Sequence, residues 1–82
     1  MIQIEPVREY IIENFLFGEE ARLHLNTSFI QEGLIDSIGM MELIDFIESH
    51  YCINIKDHEL IPQNLDSLES LQTFITLKSE TH

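Results

Sequence analysis

Apolar residues recur at helical spacing in three stretches of the chain, and the first stretch covers residues 5–16. Four apolar side chains there fall on one helix face: Val7, Tyr10, Ile11 and Phe15. Pro6 suits the first turn of a helix, because an N–H at that position would have no intrahelical acceptor. Gly18 is placed to end the helix. The pattern therefore predicts a first amphipathic helix.

The second stretch, over residues 37–50, has the clearest helical pattern. Its apolar positions are Met40 or Met41, Leu43, Ile44, Ile47 and Tyr51. At least one of the two methionines must face solvent, since adjacent positions on a helix do not share a face. The polar side carries three carboxylates, those of Glu42, Asp45 and Glu48. No Lys or Arg occurs between Arg22 and Lys56, so we expect an acidic, solvent-exposed helix face.

Between these two helices, residues 17–36 form a long connection without clear periodicity. They include too many apolar side chains for a solvated loop: Leu23, Leu25, Phe29, Ile30, Leu34 and Ile35. We therefore expect the connection to pack on the core, and a loop of this length in so small a chain points to function. After the second helix, Tyr51, Ile53 and Ile55 alternate as in a strand. No other segment offers a strand partner, which favours an extended loop.

The third stretch predicts a last helix with Asp66 as N-cap and Glu69 three positions later, in capping-box spacing. Its buried side would consist of Leu68, Leu71, Phe74 and Ile75. Ahead of it, Asp57 can cap a single short turn, which Pro62 would stop. Three main helices and one short helix, with a long loop after the first, predict an all-α four-helix bundle in one domain over residues 1–82.

The length and charge of the chain narrow the classes of function. With 82 residues it can build one hydrophobic core, but not two. Acidic residues outnumber Lys and Arg by 15 to 4, for a net charge of -11 and a pI near 4.4. This charge repels phosphate backbones and anionic lipid, which argues against nucleic acids and membranes and favours a protein partner with a basic patch. Because so small a chain has little volume for a water-excluding pocket, we expect a carrier or binding protein and not an enzyme.

Other reactive residue types form no convincing site. Cys52 is the only cysteine, which excludes an intramolecular disulfide, and we expect it to pack inertly beside apolar neighbours. Four histidines lack metal-ligand spacing and are expected on the surface: His24, His50, His58 and His82. The three carboxylates of the second helix are expected to form a solvated face, with no metal site. The chain begins without a basic region followed by an apolar stretch and contains no membrane-length apolar run, which favours a cytoplasmic protein.

Residues 33–39, Gly-Leu-Ile-Asp-Ser-Ile-Gly, place a serine at the start of the acidic helix, directly after the long loop. Asp36 or Ser37 can act there as an N-cap for free N–H groups. Those N–H groups and the helix dipole also favour a phosphate attached at this point. The position therefore suits either a capping residue or a serine that carries a phosphodiester.

At these residues the sequence resembles the acyl carrier protein family, including its aminoacyl and peptidyl relatives. The Asp36-Ser37-Ile38 triplet is similar to the Asp-Ser-Leu phosphopantetheine motif of the family, with isoleucine in place of leucine. The likeness continues in residues 29, 33–35, 41–44, 46–48, 51, 55 and 62–68. With the first helix included, it covers nearly the whole chain and its segment lengths.

The resemblance implies that Ser37 is the attachment site of 4'-phosphopantetheine, which a separate phosphopantetheinyl transferase takes from coenzyme A. Asp36 would support the Mg²⁺ of that transferase and cap the helix. The thiol of the arm would carry an acyl or aminoacyl group as a thioester to ligase, synthase or transferase enzymes with basic docking patches. The implied docking residues are Ile38, Met41, Glu42, Asp45, Glu48 and Ile55. The chain would act as a monomer in lipid or secondary metabolite biosynthesis.

Two departures from the family pattern leave the partner enzymes open. Asp45 lies where many fatty-acid carriers have an apolar docking residue, and Ile38 replaces leucine. Fatty acyl, short or specialised acyl and amino acid cargoes all remain open, although the residues before Ser37 favour a free-standing carrier of a specialised pathway. The alternative function is an unmodified helical adaptor, in which Ser37 is only a cap and the acidic helix binds a protein.

Overall fold

Helix α1 spans Glu5–Phe15 in the computed structural model, which describes residues 1–81. Pro6 lies in its first turn, as predicted, and the helix ends within one residue of the expected position. Its buried residues are Val7, Ile11 and Ile12. The chain leaves the helix through Phe17 and Gly18, which have positive φ angles of 52° and 87°. The Gly18 N–H donates to the Ile12 carbonyl over 3.0 Å, and glycine adopts its positive φ without a Cβ clash, so the chain turns away directly after the helix.

Helix α2 spans Ser37–Tyr51, and the order of its contacts with α1 makes the two helices antiparallel. Its buried residues are Gly39, Leu43, Ile44 and Ile47. Burial, and after it the nearby Glu5 carboxylate, raises the pKa of Tyr51. Aromatic side chains connect α1 and α2 along their length. In order, Phe15 packs on Gly39, Tyr10 stacks on Phe46 with ring centroids 4.4 Å apart, and the Tyr51 hydroxyl donates to the Gln3 carbonyl over 2.7 Å.

The connection of residues 17–36 packs on the core, as predicted, and contains a 3₁₀ turn at Glu20–Arg22. Its buried apolar residues are Leu23, Phe29, Leu34 and Ile35, whereas Leu25 and Ile30 are exposed. Two backbone bonds attach it to the start of the last helix: Phe29 donates to the Asp66 carbonyl over 3.0 Å, and Glu69 donates to the Leu25 carbonyl over 2.9 Å.

The short turn predicted between Asp57 and Pro62 is present, but Lys56 is its N-cap and Asp57 is its first residue, which corrects the prediction of Asp57 as the cap. It is a 3₁₀ turn at Asp57–Glu59, and a separate short helix, α3, follows at Pro62–Leu65. Pro62 therefore begins a helix and does not stop one, which corrects the prediction. Proline is favoured there because its fixed φ suits a helix start and its missing N–H leaves no donor unpaired.

The last helix, α4, spans Leu68–Thr81. Ser67 caps it, because its Oγ accepts a backbone N–H of the first turn over 3.1 Å. The prediction of Asp66 as N-cap is therefore wrong. The Asp66 carboxylate instead accepts hydrogen bonds from the Ser28 hydroxyl and, over 2.9 Å, from the backbone N–H of Ile30.

The core lies where the three long helices meet the connection. Its fully buried large side chains are Val7, Ile11, Leu16, Phe29, Leu43, Ile47, Leu68, Leu71 and Ile75. Burial of one such side chain contributes about 1.5–3 kcal/mol. Residues 1–81 contain no strand, so the predicted all-α bundle of three main helices and one short helix is confirmed. None of the helices in that range is long and apolar enough to cross a membrane.

Candidate functional site around Ser37

Ser37 is the first residue of α2, and its side chain is exposed. Its hydroxyl lies at a helix N-terminus, where the first N–H groups have no intrahelical acceptor and the helix dipole is positive. An anionic group attached to this serine is stabilised by those donors. The exposure leaves the hydroxyl accessible to a modifying enzyme.

Asp36 is the N-cap of α2, as predicted. Its Oδ1 accepts the N–H of Gly39 over 2.7 Å, and its carbonyl oxygen accepts the N–H of Met40 over 2.8 Å. The side chain is exposed, and no donor within residues 1–81 reaches the other carboxylate oxygen, Oδ2. One oxygen of Asp36 thus holds the helix start while the other faces solvent.

Gly39 is a site residue that the sequence pattern did not single out. A Cβ at this buried position would lie 2.7 Å from Phe15 Cε1, 3.1 Å from Asp36 Oδ1 and 3.3 Å from Ile35 Cγ2. The absent side chain therefore lets the ring from α1 and the capping carboxylate approach the same turn. Glycine inside a helical pattern lowers helix propensity, which was the one available signal of a close approach at this position.

An open cleft of about 560 Å³ lies beside Ser37. Asp36 and Ser37 form part of its rim. The rest of its lining is apolar and comes from the long connection, α2 and the α3 region: Ile30, Ile35, Met40, Met41, Ile44, Leu60 and Leu65. The structure thus places an apolar surface directly next to the serine.

The exposed face of α2 carries four of the residues predicted to dock partners. Ile38 is 75% exposed and Met41 is 51% exposed, while Met40 is half-buried, so Met41 is the methionine that faces solvent. Glu42 and Asp45 are also exposed. Because residues three and four apart share a helix face, these side chains form a small apolar centre beside two carboxylates.

The other two predicted docking residues, Ile55 and Glu48, are engaged in contacts within the fold. Ile55 is only 9% exposed and belongs to the core, so it is not available to a docking partner, which corrects the prediction. Glu48 is half-buried, and its Oε2 accepts the backbone N–H of Ile55 over 2.8 Å. Its carbonyl oxygen accepts the N–H groups of Cys52 and Ile53. Glu48 therefore stabilises the end of α2.

Cys52 and the histidines lie apart from this site. Cys52 is exposed and occupies the C-cap of α2 with a φ of 56°, so the expectation that it packs among apolar neighbours is wrong. His24, His50 and His58 are exposed, as predicted, and His82 lies outside the described residues. Within residues 1–81, no group of three or more His, Cys, Asp or Glu side chains is arranged to hold a metal ion.

The site therefore combines an exposed serine at a helix N-terminus, a carboxylate cap, an apolar cleft and an acidic face. Over 66 residues the chain is 26% identical to a curated protein, the probable acyl carrier protein PigG of Serratia sp. (strain ATCC 39006). The alignment covers 80% of this chain and 76% of the relative. No protein-family profile matches the chain. In architecture the chain is a small helical bundle, and in sequence it is similar to this probable acyl carrier protein.

Proposed function

We propose that this protein carries acyl or aminoacyl groups on a 4'-phosphopantetheine arm attached to Ser37. The observation that carries the proposal is the exposed serine at the N-terminus of α2, in a chain similar to a probable acyl carrier protein. When bound, the arm supplies a thiol that holds the cargo as a thioester. The chain itself provides the attachment point, the surface next to it and the face that partners recognise.

Loading is a phosphoryl-group transfer to Ser37. Its Oγ attacks the phosphorus of coenzyme A that bears the pantetheine, and a new P–O bond forms. The P–O bond to the adenosine bisphosphate breaks, and the hydroxyl proton passes to a base of the transferase. The exposed Oδ2 of Asp36 is available to the Mg²⁺ that the transferase brings, while Oδ1 keeps the helix start in place.

The surroundings of Ser37 fit such a group. The free N–H groups at the start of α2 stabilise the negative phosphodiester. The open cleft offers apolar contacts, among them Ile30 and Met41 at its exposed surface, to the arm and to apolar parts of a cargo. Tethering at this point raises the effective concentration of the cargo at a docked enzyme.

The exposed face of α2 is the proposed docking surface. Ile38 and Met41 supply an apolar centre, and Glu42 and Asp45 supply charge at its edge. Side chains buried at the centre of an interface contribute most to affinity, whereas charges at its edge set the encounter rate and the choice of partner. Partners with a basic patch match this surface in a chain of net charge -11.

Intact-mass measurement tests the proposal. The chain is incubated with coenzyme A, Mg²⁺ and a broad-specificity phosphopantetheinyl transferase, then reduced, because exposed Cys52 can exchange with the disulfide of air-oxidised coenzyme A and release one coenzyme A thiol. We expect one added phosphopantetheine in the wild type and none in Ser37→Ala. Ser49→Ala, which changes another exposed serine of α2, is the matched control and should load normally. A folded wild-type chain that stays unmodified would reject the carrier function and leave the adaptor.

A further inference from the structure

The first turn of α2 is held from two sides at a single backbone position. From one side, the Phe15 ring of α1 places Cε1 2.7 Å from where a Cβ of Gly39 would be. From the other side, Asp36 Oδ1 accepts the Gly39 N–H over 2.7 Å and lies 3.1 Å from the same Cβ position. Ser37 is in this turn, between the cap and the contact.

The Phe15 ring is itself fixed in place. It is half-buried and packs edge-on against Tyr10, with ring centroids 6.1 Å apart and an interplanar angle of 64°. Tyr10 in turn stacks on Phe46 of α2 at 4.4 Å. Because these rings support one another across the two helices, Phe15 cannot yield to an added methyl group without disturbing the α1–α2 contact.

We infer that Phe15 and Gly39 are positioning residues for the modification of Ser37, an inference that rests on the proposed function. The bare α-carbon of Gly39 allows the ring and the capping carboxylate to approach the turn together. Because Tyr10 holds the Phe15 ring in place, a Cβ at this position displaces the capping carboxylate and re-aims the Asp36-Ser37 segment that the transferase must recognise. Small displacements of a reacting group cost large factors in rate, because group transfer requires aligned atoms.

Gly39→Ala tests this inference with a result opposite to that expected from helix propensity. Alanine is the better helix former, so without the contact the substitution would stabilise the chain and leave loading unchanged. We expect instead a folded variant. With this variant as acceptor, and with coenzyme A and the acceptor both saturating, the turnover number of the transferase should fall about tenfold or more. Adding Phe15→Leu, which removes the ring atoms nearest position 39, should restore a large part of the lost rate.

Two controls separate positioning from general destabilisation. Ser49→Ala changes an exposed residue of α2 away from Phe15 and should load at the wild-type rate. Ile11→Val loosens the buried core of α1 and should lower the melting temperature without lowering the loading rate of the folded chain. Wild-type loading by Gly39→Ala, or no recovery in the double variant, would overturn the inference.

Amide hydrogen exchange gives a readout that does not depend on loading. In the wild type the amide at position 39 donates to Asp36 Oδ1, and we expect this bond to protect it from exchange. We expect its exchange to accelerate several-fold in Gly39→Ala and to slow again when Phe15→Leu is added. Unchanged amide protection in Gly39→Ala would overturn this inference, whether or not the wild type is loaded. Failure of wild-type loading would instead reject the proposed function.

Discussion

The carboxylate of Glu48 accepts a hydrogen bond from the backbone N–H of Ile55 over 2.8 Å. This bond joins the last turn of α2 to the extended segment that follows it. The Ile55 side chain is buried, so the bond helps to hold part of the core in place. A carboxylate on the polar side of an acidic helix therefore serves the fold, whereas Glu42 and Asp45 on the same helix face solvent.

Replacement of Glu48 should cost stability. Glu48→Ala leaves the Ile55 N–H without its charged acceptor, and we expect the free energy of unfolding to fall by about 1–3 kcal/mol. Glu42→Ala, the matched control on the exposed face, should change it by no more than about 0.5 kcal/mol. Urea denaturation measures both values. Equal losses in the two variants would contradict the structural role of Glu48.

Charge reversal on the exposed face should weaken docking and leave the fold intact. For Asp45→Lys we expect a higher KM for the chain in transferase loading and a weaker dependence of this KM on salt, because favourable charge contacts with the partner are lost. Its free energy of unfolding should change by no more than about 0.5 kcal/mol. Glu69→Lys, an exposed charge reversal on α4, controls for net charge. If Glu69→Lys raises the KM equally, α2 is not the docking surface.

Asp66 should be more important for stability than an ordinary surface aspartate. Its carboxylate accepts hydrogen bonds from Ser28 and Ile30 in the long connection. For Asp66→Ala we expect a loss of about 1–3 kcal/mol and faster proteolysis within residues 23–36, because this tether is lost. Asp57→Ala, at an exposed aspartate, is the comparison. Protease sensitivity that is the same in both variants would argue against the tether.

The stability of the chain should depend on Glu59 at acidic pH. The N–H of Lys56, followed by the Lys78 ammonium 2.9 Å away, lowers the pKa of Glu59 from its ordinary value of 4.5. As the pH falls, the unfolded chain therefore takes up this proton first, and the stabilisation is lost. The wild type should exceed Glu59→Gln in melting temperature above pH 4.5, and the difference should shrink below it.

For Glu59, the matched control is Glu13→Gln, at an exposed position of α1. Thermal unfolding followed by circular dichroism between pH 3 and 7, roughly the range in which carboxylates titrate, measures all three chains. A wild-type advantage over Glu59→Gln that grows as the pH falls would contradict the assigned direction of the pKa shift.

Local patterns were enough to locate the long helices, but not every helix start. The spacing of apolar residues located α1 and α2 to within one residue, because a helix has to bury one continuous stripe. Asp66 and Ser67 are both good N-caps by residue type. The choice of Ser67 depends on the long connection, whose Ser28 and Ile30 bind the Asp66 carboxylate across 38 and 36 positions of sequence.

The candidate site divides in the same way. The location of Asp36 and Ser37 at the start of an acidic helix could be predicted, since capping and helix dipoles act within one turn. The contacts of Gly39 and Glu48 could not be predicted, because each involves a group brought close by folding. For Gly39 this group is the Phe15 ring, and for Glu48 it is the Ile55 N–H. Apolar periodicity indicates which side of a helix is buried, but it does not indicate which residues of other segments contact that side.

By itself, the sequence determined the helical class, the acidic face of α2 and the serine at its start, because these follow from short-range spacing and charge. Only the tertiary structure decided which carboxylates remain in solvent, how the apolar cleft forms beside Ser37 and why position 39 lacks a side chain. These features arise where distant segments pack together. Their contacts depend on the three-dimensional path of the whole chain, which no local pattern specifies.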